Sequence, residues 1–140
     1  MNYLSVFLAA LGGFVVYFAI GGFMFMILSG LKQEFAKFPA VYRDSQGIMK
    51  TMPFGMAAMF VSILAAAVIY AQGYHGGPGL VSGAEFGALI GVFVLGAFVI
   101  HNYVNLQISM KLTINSGIAY FIEWLAVGIV IGLIYRPVAT

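Results

Sequence analysis

Five polar side chains stand out in an otherwise apolar C-terminal half: His101, Asn102, Asn105, Tyr120 and Glu123. His101 and Asn105 are four residues apart, which places them on one face of a helix. A Glu–His pair can relay protons or cations, or carry acid–base chemistry. A histidine can also ligate a porphyrin metal or hydrogen-bond a quinone. The same residues can simply bond one helix to another. No nucleophile or metal-ligand set accompanies them, so catalysis is not expected. The chain has no cysteine, which excludes disulfides, thiolate metal sites and Cys nucleophiles.

The elements that must hold these groups are membrane helices. Of 140 residues, 63% are hydrophobic and 7% charged, and the mean hydropathy is +1.06. Ordinary globular domains are about 25% charged, so this surface must meet lipid or partners. Six Lys and Arg without a tight run give no reason to expect nucleic acid. A spanning helix needs about 20 mostly apolar residues. Residues 3–31, 53–72, 85–109 and 117–135 qualify, with Pro53 expected in the first turn of the second span. The first run carries no charge and is longer than a signal-peptide core, so it reads as a span. The fold class expected is all-α, a four-helix transmembrane bundle of two hairpins forming one integral domain.

Topology follows from the cations. Lys32, Lys37, Arg43 and Lys50 lie in the first loop, residues 32–52, and Lys111 in the third; Arg136 alone lies on the other side. This bias puts the first and third loops in the cytoplasm and both termini outside the inner membrane. Phe35, Phe38, Tyr42 and Met49 recur in the first loop at roughly helical spacing. They predict an interfacial segment broken by Pro39. Met49, Met52, Met56 and Met59 step by three, four and three. One helical face of thioethers reads as adaptable packing rather than a copper(I) site, there being no paired His or Cys.

The last two spans form the hairpin that carries the polar residues. With its turn taken as residues 111–117, the fold point is near residues 112 and 113. His101 and Asn102 then fall level with Glu123 and Trp124, and Asn105 with Tyr120. Gly96 falls level with about Gly128, and Gly91 with about Gly132. Gly87 with Gly91, and Gly128 with Gly132, make two GxxxG pairs, which let helix backbones approach closely in lipid. The expectation is a glycine seam in one half of the hairpin and one polar cluster in the other.

The run Gly87–Gly96, then Asn102, Asn105, Lys111, Asn115-Ser116-Gly117 and Tyr120, then a glycine-spaced last helix, resembles small bacterial four-helix membrane proteins of a domain family of unknown function. The resemblance covers roughly residues 84–136. It implies four spans and supplies no catalytic residue. Small multidrug transporters also have four helices, but their key Glu lies in the first, which here is uncharged.

The function expected is a non-catalytic integral membrane subunit within a larger complex. It would touch membrane lipids and other membrane proteins, and its grooves could take a lipid, quinone or pigment; no metal is expected. The alternative is a small homo-oligomeric transporter coupled to protons or cations through His101 and Glu123.

Overall fold

The computed structural model describes residues 1–28 and 30–137. It is all-helical among those residues: α1 (Tyr3–Ile27), α2 (Leu31–Ala36), α3 (Ser45–Gly73), α4 (Gly79–Val94), a π-helical turn (Leu95–Ile100), α5 (His101–Asn105) and α6 (Met110–Ile134). The π turn joins α4 and α5 into one rod, Gly79–Asn105. With α1, α3 and α6 this makes four helices long and apolar enough to span a membrane.

Helix ends are set by caps rather than by where apolarity fades. Asn2 and Asp44 accept from the backbone N–H of Ser5 and Gly47 at the starts of α1 and α3, and Ser109 accepts from Leu112 at the start of α6. Two boundaries therefore differ from expectation. The second spanning helix starts at Ser45, so Pro53 lies inside it, where it removes the bond to the Met49 carbonyl. The last helix starts at Met110 rather than Gly117. Pro39 does separate two pieces, with α2 ending before it and α3 starting after it.

Helix α6 is the hub. It packs on α4 and on α1, and α1 packs in turn on α3. Gly13 sits where three helices meet: a Cβ there would lie 3.0 Å from Ile63 on α3 and 3.3 Å from Val127 on α6. Around it Ala9, Ala10, Ile63, Ala67, Val127 and Ile131 are buried. Ser5 ties the start of α1 to the end of α6, its hydroxyl accepting from the Arg136 N–H at 2.6 Å. At the same end Tyr70 closes α3 onto the rest. Its ring packs edge-on to Phe86 and Tyr135 at 5.4 and 5.9 Å, and its hydroxyl is 2.7 Å from that of Ser82. The opposite end is open, because residues 45–58 of α3 have no buried position.

Candidate functional site

The hairpin turn occupies residues 106–109, so its fold point lies between residues 107 and 108. That is about five positions earlier than a turn at residues 111–117, and each opposing position moves by about ten. The glycine seam is built accordingly. A Cβ on Gly83 would lie 2.5 Å from the Gly128 carbonyl oxygen and 3.1 Å from Gly132 Cα. One on Gly87 would lie 2.6 Å from the Trp124 carbonyl oxygen, and one on Gly91 2.8 Å from the Phe121 ring. Gly128 and Gly132 face Gly87, Gly83 and Gly79 from the other side. Gly96, expected opposite Gly128, has nothing within 4 Å and takes no part in the seam.

The same shift separates the polar residues. Glu123 is the fourteenth of the 25 residues of α6, so it lies about 20 Å along the helix rather than about 9 Å. It is buried, at 5% exposure, and faces α1 rather than α5. A Cβ on Gly21 would lie 3.0 Å from its Oε1, and the Tyr17 phenol is a polar neighbour. The Tyr17 and Trp124 rings pack edge-on at 5.9 Å beside it. Glu123 Oε2 is buried with no hydrogen-bond partner among the described residues.

His101 and Asn105 are exposed at the far end of the rod Gly79–Asn105. They do share a face, but the Asn105 amide donates to the His101 carbonyl at 2.7 Å, which closes their contact within the helix. Asn102 and Tyr120 meet in a small cavity of about 70 Å³, which Phe35, Tyr42, Phe98 and Ser116 also line. The five residues thus divide into three places: a mid-helix carboxyl on α6 facing α1, an exposed His–Asn pair, and an Asn–Tyr pocket under α2.

Sequence reasoning missed one polar centre, Glu34 on α2. It is 4% exposed. Its carboxylate accepts from Lys37 at 2.6 Å and from the Ser109 hydroxyl at 3.1 Å, and lies 3.6 Å from Lys111. The clasp fixes α2 across the start of α6. The signal was an acid between two loop lysines, Lys32 and Lys37, but nothing in the spacing linked residue 34 to residue 109. The Lys37 ammonium, helped by the Ser109 hydroxyl, holds the Glu34 carboxyl below its ordinary 4.5. A carboxyl lowered on docking stabilises the docked state fully above the undocked value. That stabilisation fades as pH falls from about 4.5 through the lowered value. Amide exchange in α2, corrected for intrinsic rates, is expected to speed up in that window. Glu34→Gln should exchange fast at every pH; a pH-independent wild type would disprove the clasp.

Among the described residues no group of three or more His, Cys, Asp or Glu could hold a metal ion. No family model, curated protein or solved structure matches the chain.

Proposed function

We propose that this chain is a non-catalytic, four-pass integral membrane subunit of a larger assembly in the inner cell membrane, with both termini outside. The orientation rests on the cation bias: Lys32, Lys37, Arg43, Lys50 and Lys111 against Arg136. The observation that carries the subunit role is the first half of α3. Residues 45–58 are uncovered on every side, Phe54 at 81% and Met49 at 71% exposure. Lipid alone could cover bulky apolar groups, but this helix also exposes Thr51, Gly55, Ala58, Ser62 and Ala65. They are spaced four, three, four and three residues apart, the period of a close helix–helix seam. The bundle uses such small residues in the seam between α4 and α6, and among the described residues nothing covers this stripe. The resemblance to small four-helix bacterial membrane proteins fits this reading and adds no activity.

Purification from the native source in mild detergent is expected to recover the chain with stoichiometric partner proteins. A photo-crosslinker at Ala58 should join it to one of them. Recovery only as a monomer or homo-oligomer would end the proposal. The alternative, a proton- or cation-coupled transporter, draws support from the buried Glu123 carboxyl, whose Oε2 has no partner among the described residues, but would have to work without His101. Liposome flux abolished by Glu123→Gln is the result that would favour it.

A further inference from the structure

A groove of about 550 Å³ opens where the π turn meets the first half of α6. Its floor is the buried Val99, Thr113 and Gly117; its walls are the half-exposed Ile100, Ile114 and Ile118. The Thr113 hydroxyl is spent on the Ser109 carbonyl at 3.0 Å, so the floor offers no free polar group. Such a surface binds hydrocarbon and excludes water. Its volume is that of a ligand pocket rather than a packing defect.

Its length and position point to one occupant. On α6 the lining runs from Met110 to Ile122, about 18 Å of helix, close to half of a hydrocarbon core about 30 Å thick. The groove starts at the helix end and stops near the middle, which is the reach of one acyl chain in one leaflet. The end where it starts is cationic. Lys111 follows Met110 and shares the Glu34 carboxylate with Lys37, just past the end of α2, and the exposed Lys32 is two residues before Glu34; Glu34 is the one acid among them. We infer that the groove seats one acyl chain of an anionic phospholipid from the leaflet on the Met110 side, its headgroup over these lysines. The site depends on the helices spanning the membrane but not on a partner covering α3.

Native mass spectrometry of the delipidated full chain tests this, with phosphatidylglycerol and phosphatidylcholine of identical chains as probes. One phosphatidylglycerol per chain should be retained, about five-fold more strongly than phosphatidylcholine, which is one lysine's worth of interfacial attraction. Ile118→Trp fills the groove from an exposed wall and should cut retention about ten-fold. Ile114→Trp should do the same from the same helix, so the test survives misfolding of either variant. Leu89→Trp, on the exposed side of α4, should retain lipid as the wild type does. No retained lipid, equal retention of both lipids, or unchanged retention in both groove variants would overturn the inference. So would a loss of equal size in Leu89→Trp.

Discussion

Gly128→Ala is expected to destabilise the bundle by at least about 3 kcal/mol, the upper end for forcing extra atoms into a packed core. The added Cβ would land against Gly87 Cα and lie 2.5 Å from both the Gly83 carbonyl oxygen and the Gly87 nitrogen. All three are backbone atoms. A flexible side chain could swing aside; a helix backbone yields only if α4 and α6 separate. Separation is costly because, in lipid, close van der Waals contact does much of the work that the hydrophobic effect does in water. Gly96→Ala is the matched control. It sits in the facing rod, Gly79–Asn105, with nothing within 4 Å, so it should fall within about 0.5 kcal/mol of wild type. Denaturant or thermal unfolding in detergent, read by helicity, makes the comparison. Equal effects at the two glycines would show that the seam is not built as described.

The second large effect is a gain. Glu123 sits at mid-helix with Oε2 buried and unpartnered. A buried polar atom left unmade costs about 1–3 kcal/mol, and an acid at the centre of a span adds an insertion penalty of similar size. Glu123→Met keeps an unbranched side chain of similar length, slightly larger but flexible, and removes both. It should stabilise the purified chain by about 2 kcal/mol. Gly21→Ala gives an independent check on the geometry. Its Cβ would press on Glu123 Oε1 at 3.0 Å, so it should destabilise the wild type more than the Glu123→Met variant, whose side-chain tip is softer and more adaptable. A destabilised Glu123→Met would mean that the carboxyl has a partner it depends on, the neighbouring Tyr17 hydroxyl first and a second subunit next. A stabilised variant that no longer joins its complex or supports flux would mark the acid as kept for function.

Hydropathy made the four spans legible, and glycine spacing made the material of the seam legible. The register was not legible, and the reason lies in a few residues. Residues 111–117 read as a turn because Lys111, Asn115, Ser116 and Gly117 are polar or small, yet they form the first two turns of α6. The chain in fact reverses at residues 106–109, where two of the four are apolar, Leu106 and Ile108. Polar character marks where a helix leaves the hydrocarbon, not where it begins or ends; Ser109 as N-cap marks where α6 begins. The same holds for α3, which starts at the Asp44 cap and runs through polar residues to Pro53 and beyond. An error of a few residues at a hairpin turn doubles across the pair. That doubling is how Glu123 came to be matched with His101 although it faces Tyr17 and Gly21. Glu34 escaped for a different reason: its partners Ser109 and Lys111 lie about 75 positions away, and no local pattern reports such a contact.

The π turn at Leu95–Ile100 has a consequence for how this chain tolerates changes in length. Such a turn carries a surplus residue relative to regular helix. Excising one residue there, Gly96 being the least encumbered, would let the rod rewind as plain α-helix. Everything from Gly79 to Gly91 would keep its seat on α6. Residues 101–105 would keep roughly their facing, because the wide turn already absorbs the surplus residue's rotation of about 100°. Loss of one residue from the regular helix on either side would instead rotate everything beyond it by about 100°. The π turn is therefore the place in the rod where a single-residue deletion leaves both the locked seam and the polar tip aimed as they are.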